Sequence, residues 1–382
     1  MTGEWKETTL GEICNIQQGK TIALSSLSDG SYPVYGANGI VGQIDEYNFD
    51  FHLTALGCRG SCGTVHFIDQ KAFLSGNVMA IWQKSDQELL PKYIPLALSA
   101  LDLEGSGAIS GQVQPQITKT SLSPVPISVP SIPEQKRIVD LITSMDSYIE
   151  QLKRYLASLR LARQSSIDKF VNFTALDFTQ VKISQIVDLN PEQAKDAKSA
   201  RMIRYIDLSK VSIDSGIAPN IVPVPFSEAP GRARRTIRTD DVLVSTVRPY
   251  LRGFAMVEEE YNGEIASTGF CVLRPNSQVV NPDLLWAVIR SERFVSYLVG
   301  KSTGSNYPAV RPADIGNFSF GLPALEVQHS LADLFNAMDE SVSKATQTLE
   351  QSQMLREAIL ESLLTQRHEI PQTYDKFLGG EA

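Results

Sequence analysis

At 382 residues the chain is long enough for two or three domains with cores of their own. Its hydrophobic content of 42% and charged content of 20% are those of a globular protein, and no apolar run approaches the ~20 residues of a membrane span. A net charge of −8 argues against a surface coated for nucleic acid, and four cysteines (Cys14, Cys58, Cys62, Cys271) are too few for a disulfide scaffold. The start "MTGEWKETTL" lacks the basic and apolar parts of a signal peptide. Reduced thiols in a cytoplasmic protein are the expectation.

The first region, residues 1–131, carries a charge of about −5 and reads as short Val/Ile/Phe/Tyr strands between Gly, Asn, Asp and Pro turns. "CNIQQGKT" falls one residue short of a phosphate-binding GxxxxGK[ST] loop, because Cys14 stands where the first glycine belongs. It reads as a strand and turn. "YPVYGANGIVGQIDEY" reads as strand, turn and strand. His52, Cys58, Cys62 and His66 have no standard zinc spacing, and His66 lies in the strand-like "TVHFI", so no metal is expected. "LPKYIPLALSAL" reads as a helix.

Residues 132–172 form a long helix that opens with Pro133 and Glu134, both suited to a first turn. Ile138, Met145, Leu152 and Leu159 recur every seven residues along it. They are flanked by rows through Ile142, Ile149 and Leu156 and through Leu141, Tyr148, Tyr155 and Ala162. Residues 173–322 are β-rich again and include "GRARRTIRTDDVLVSTVRPYLR", with six Arg against two Asp. Asp196 and Lys198 form an Asp-x-Lys without a partner carboxylate, so no nuclease is expected there. A second long helix at 323–367 repeats the heptad with Leu331, Met338, Ala345 and Ile359, and residues 368–382 follow as a tail.

The second half restates the first. "PSIPEQKRIVDLITSMDSYI" from Pro130 and "PALEVQHSLADLFNAMDESV" from Pro323 share a Pro, a Gln five residues on (Gln135, Gln328) and a Met-Asp ten residues later, at a constant offset of 193. Upstream, Gly111/Pro115 parallels Gly304/Pro308; "FLSGNVMAIWQ" parallels "IASTGFCVLRP", and "LTALGCRGSCGTVHFI" parallels "VLVSTVRPYLRGFAMV". The order of parts implies an internal duplication of one α/β module plus one helix. Seven basic and five acidic side chains at 134–169 face two basic and seven acidic at 326–365. The predicted fold is therefore α+β: two similar α/β domains, each followed by a long helix, with the helices paired as an antiparallel coiled coil. About 35 residues at ~1.5 Å each make a rod of roughly 50 Å. Two unlike readers on a rigid spacer suit double-stranded DNA, whose half-sites one helical turn apart lie about 34–36 Å from each other.

In "VPSIPEQKRIVDLI", "YPVYGANGIVG", "CRGSCGTV" with "SGNVMAI", and "STVRPYLRG", placed in this order and doubled, the chain resembles the specificity (S) subunits of type I restriction–modification systems over nearly all its length. Val327 in "ALEVQ" departs from that pattern, where the first helix has Glu134. The resemblance implies that residues 1–131 and 173–322 are target recognition domains, each reading half of a bipartite DNA site. It implies that the helices are the spacer and the docking surface for two methyltransferase (M) subunits. It also implies that S-adenosylmethionine, ATP and Mg are bound by M and restriction (R) subunits, and that this chain is non-catalytic and binds no cofactor directly.

The DNA-contact candidates are Arg232, Arg234, Arg235 and Arg238 for phosphate. Arg248 and Arg252 suit phosphate or a guanine edge, and Arg59 lies in the matching loop of the first module. Lys20, Asn38 and Gln114 are further polar readers. Against this stands a scaffold protein whose paired helices organise protein partners without reading DNA.

Overall fold

The computed structural model describes residues 5–111, 114–173, 178–195, 199–212, 216–304 and 307–378, so Asp196 and Lys198 lie outside the described residues. The chain folds as two compact units, one of residues 1–152 with 348–382 and the other of residues 153–347.

In the first unit an antiparallel sheet runs in the order Cys14–Gln18, Val78–Gln83, Leu53–Gly57, Val65–Ile68. Alternate residues of its central strands serve two cores, as a period of two requires. Leu56, Met79 and Ile81 pack with Tyr93, Ile94 and Leu98 of the short helix Tyr93–Ser99. Leu53, Ala55, Val78 and Ala80 pack with Tyr35, Phe49 and Leu74 on the other face. That second layer is a sheet of Gly39–Ile44, Tyr32–Gly36 and Phe73–Leu74, with the last pair parallel. Lys6–Thr9 pairs with Pro126–Val129 and so ties the start of the chain to the segment leading into the long helix.

The second unit repeats this plan. Its sheet runs Val187–Leu189, Phe270–Pro275, Val242–Ser245, Phe254–Met256. Tyr205–Ile206 lies parallel to Ile265–Ser267, Thr179–Lys182 pairs with Ser319–Leu322, and Pro282–Arg290 takes the place of the short helix. Here too the faces alternate, with Val242, Val244, Cys271 and Leu273 on one side and Leu243, Ala255 and Val272 on the other. The unit adds the helix Glu292–Lys301 and two small hairpin ladders between residues 202 and 225.

The long helices are Ile132–Asn172 and Leu325–Leu364. Each carries a buried glutamine in its first turn. Gln135, with no exposed surface, donates Nε2 to the Glu88 and Pro130 carbonyls and accepts the Leu90 amide at 2.8–2.9 Å. Gln328 donates to the Val279 and Pro323 carbonyls and accepts the Asn281 amide at 2.8–3.1 Å. Each amide pins the loop before the short helix to the foot of the long one, with carbonyl and amino group both engaged. That is the physical content of the repeated Pro-to-Gln spacing.

Within each unit the two long helices pair antiparallel. In the first unit Arg356 grips Asp146 with two bonds of 2.8 and 3.1 Å, while Arg137 and Asp140 nearer the helix start meet Asp375 and Tyr374. In the second, Arg163 meets Asp339 at 2.9 Å and Phe170 meets Phe335. The ion pairs are reciprocal under the repeat, since Asp146 corresponds to Asp339 and Arg163 to Arg356. Of the heptad rows, Ile142, Ile149 and Leu156 are buried, as are Phe335 and Val342. The row expected as the seam is mixed: Ile138 and Ala345 are buried, whereas Met145, Leu152, Leu159, Leu331, Met338 and Ile359 are half-buried. Tyr148 and Tyr155 of the third row are exposed.

Two predictions follow from these contacts. Gln135→Ala leaves backbone groups of Leu90, Glu88 and Pro130 without their partner, so it destabilises the first unit by about 2–4 kcal/mol in urea unfolding. Asp339 also neutralises Arg290, whose side chain is 5% exposed and bound to it by two bonds of 2.7 Å. Asp339→Ala therefore costs roughly 3–5 kcal/mol, whereas Asp146→Ala, at the more exposed equivalent pair, costs under about 1 kcal/mol.

Candidate nucleic-acid interface

In the first unit the backbone gathers four loops at one end of the sheet. The Arg59 loop leaves the Leu53–Gly57 strand, and the Cys58 amide donates to the Asn77 carbonyl. The Ile117 amide donates to the Cys58 carbonyl, and Arg59 bridges Gln116, which brings in the hairpin that carries Gln114. Thr64 donates to the Ala37 carbonyl and attaches the turn that bears Asn38. The Ser75 amide donates to the Tyr35 carbonyl, and the Lys20 amide to the Leu74 carbonyl. Lys20, Asn38, Arg59 and Gln114 are all exposed on this cluster.

The glycine of "GKT" has a structural role in this cluster. A Cβ on Gly19 would stand 2.2 Å from the Ser75 carbonyl oxygen, so glycine there permits two backbones to cross.

The second unit builds the same backbone contacts around the corresponding loop, with other side chains. The Thr246 amide donates to the Gly269 carbonyl, the Val310 amide to the Thr246 carbonyl, and Val247 bridges Ala309. These contacts match those of Cys58 and Arg59 one for one. The counterpart of Arg59 is therefore Val247, and the counterpart of Arg248 is Gly60, one residue out from a letter-by-letter alignment. Gly60 has φ +79° and Arg248 φ +48°, so the loop demands a left-handed residue here in both units. Likewise Gly111 (φ +92°) and Gly304 (φ +99°) correspond, which sets Gln114 opposite Tyr307.

The six arginines divide by what they touch. Arg248 lies in the loop with its guanidinium 4.5 Å from the ring centre of Tyr307, which is 69% exposed. Arg252, also left-handed at φ +51°, donates to the Arg290 carbonyl at 3.1 Å and to the Glu292 carboxylate, so its side chain is used inside the fold. Arg238 makes a two-bond pair with Glu192 at 2.9 and 3.1 Å. Those bonds, with help from Arg274, hold the Glu192 carboxyl below its usual range. Arg234 donates to the Ala233 carbonyl, and the buried Nε of Arg235 has no hydrogen-bond partner among the described residues. Arg232 is exposed, and its carbonyl accepts the Thr268 amide beside the turn that holds the Arg248 loop. The Ala233–Thr236 strand thus separates Arg232, near Arg248, from Arg238 at its far end.

Burial pushes the thiols of Cys14 and Cys271 up to about 12 and raises that of Cys58. Among the described residues no group of three or more His, Cys, Asp or Glu is placed to hold a metal, and no helix is long and apolar enough to cross a membrane. The exposed residues that sequence reasoning passed over are Tyr307, Tyr250 and Leu251, and Ile40 and Val41 beside Asn38. The only signal for the latter pair was their position just past an Asn-Gly turn.

The roles of Arg248 and Arg252 separate by stability. Arg252→Ala removes one contact to the end of the Pro282–Arg290 helix and one to the start of the Glu292–Lys301 helix, and lowers stability by about 1–3 kcal/mol. Arg248→Gly restores the residue its backbone favours and shifts stability by less than about 1 kcal/mol; thermal unfolding of both variants checks this.

Residues 2–160 match the family "Type I restriction modification DNA specificity domain". The Type I restriction enzyme HindI specificity subunit of Haemophilus influenzae is 24% identical over 137 residues, which are 35% of this chain and 30% of that protein. The MjaVIII specificity subunit of Methanocaldococcus jannaschii is 18% identical over 393 aligned positions, covering 95% of this chain and 92% of that protein. Two solved structures share the fold. The type I restriction–modification S subunit from M. genitalium has a TM-score of 0.61 at 14% identity and covers 94% of this chain and 96% of its own. A chain from a study of the assembly of the type I restriction–modification system has a TM-score of 0.59 at 15% identity and covers 95% and 98%. Residues 2–160 thus match the type I restriction–modification DNA specificity domain family, and the chain along nearly its whole length is similar to the MjaVIII specificity subunit.

Proposed function

We propose that this chain is the DNA sequence-specificity subunit of a type I restriction–modification complex. Residues 1–131 read one half of a bipartite duplex site and residues 173–322 read the other. One observation carries this reading: the Arg59 loop and the Arg248 loop are held by the same three backbone contacts, yet present different side chains. A shared frame with divergent tips is what reading two different half-sites requires. The long helices set the gap between the half-sites, and their exposed faces, which include Tyr148 and Tyr155, offer surface to two methyltransferase subunits.

The chain itself is non-catalytic in this reading. S-adenosylmethionine, ATP and Mg belong to the methyltransferase and restriction subunits, which methylate adenine and cleave unmodified DNA. Few basic side chains lie on the first cluster, so much of the phosphate neutralisation there falls to those partners.

Mapping methylated adenines in a host that expresses the complex tests the reading directly. The expected result is one bipartite motif with a fixed gap. Inserting four residues near Ala157 is expected to change that gap or abolish modification, and an unchanged motif would count against the helices as spacer.

A further inference from the structure

We propose that the half-site read by the second unit contains a guanine recognised by Arg248, with Tyr307 as the residue that positions its guanidinium. This deepens the DNA-reading function above and rests on it.

Arg248 has φ +48°, a left-handed conformation that L side chains adopt at a cost and that its structural equivalent satisfies with Gly60. Strain of this kind persists where a side chain must be presented in one place. The next observation is the ring. Tyr307 lies under the guanidinium at 4.5 Å and is itself mostly exposed, so it contributes little to the core. Its equivalent in the first unit is Gln114, so the framework does not need an aromatic residue there.

A strained backbone and a stacked plane both fix orientation. A guanidinium can also take a phosphate with two bonds, but such a contact carries no sequence information. Guanine offers O6 and N7 side by side in the major groove, and only a correctly oriented guanidinium bonds both. The neighbouring exposed Arg232 suits the phosphate role. The first unit has Gly60 and Gln114 at these places, so it makes no equivalent arginine contact.

The test uses the full chain assembled with its methyltransferase subunits and a random-sequence duplex library, followed by the selected duplex with 7-deazaguanine at each guanine in turn. Wild type is expected to select a guanine in one half-site and to lose about 10-fold in affinity when N7 is removed there. Arg248→Gly, chosen because the loop accepts glycine, is expected to lose a similar factor, to relax that position alone, and to be indifferent to 7-deazaguanine at it. Tyr307→Phe keeps the stack and the preference; Tyr307→Ser weakens the preference at the same position. Arg248→Lys does not restore it. The proposal is overturned if Arg248→Gly lowers affinity equally for all sequences and flattens the salt dependence, as loss of a phosphate contact would. It is overturned equally if both half-sites relax together, or if the relaxed position is not guanine. A wild-type complex that selects no sequence at all would remove the underlying DNA-reading function, an outcome distinct from these.

Discussion

Everything in each unit is referred to one buried amide. Gln135 and Gln328 sit where the long helix leaves the sheet domain, and each ties two stretches of backbone together by three bonds through a buried side chain. A charged or apolar residue of the same size fails there, because two carbonyls and one amide must be satisfied at once. The loop fixed by this bond leads into the short helix, which covers one face of the central sheet. The sheet in turn fixes where the interface loops emerge. The direction of the long helix and the placement of the loops are therefore set together.

The reciprocal ion pairs extend this logic along the helices. Asp146 with Arg356 and Arg163 with Asp339 repeat one contact in the two units, with acid and base exchanged between the helices. The two copies have not stayed equal. Asp339 has acquired a second partner in the buried Arg290, while Asp146 remains half-exposed. The first unit has instead gained the tail, where Tyr374 donates to Asp140 and Arg137 pairs with Asp375. Burial and the Asp140 carboxylate push the Tyr374 phenol up to about 12, so it keeps the proton it donates.

Much of this was legible in the letters because repetition carries its own control. The Pro-to-Gln spacing, the Met-Asp pair and the heptads recur at one offset, and each proved to mark a contact: the amide clamp, the ion pair, the buried rows. What stayed hidden depended on details that periodicity does not encode. The heptad gave three candidate rows, and only packing chose Ile142, Ile149 and Leu156 as the buried one. The arginine-rich stretch read as one patch, yet Arg238 and Arg252 are held by Glu192 and Glu292, acids far from them in sequence. Alignment by letters paired Arg59 with Arg248, whereas the backbone bonds pair Arg248 with Gly60, because conformation and not identity is what the loop conserves.

That equivalence bears on how such a protein changes its target over generations. At Arg248 folding alone favours glycine, and the frame tolerates the exchange, as the other unit demonstrates. An exchange between arginine and glycine at this place would thus alter the tip of the loop while leaving intact the frame that holds it.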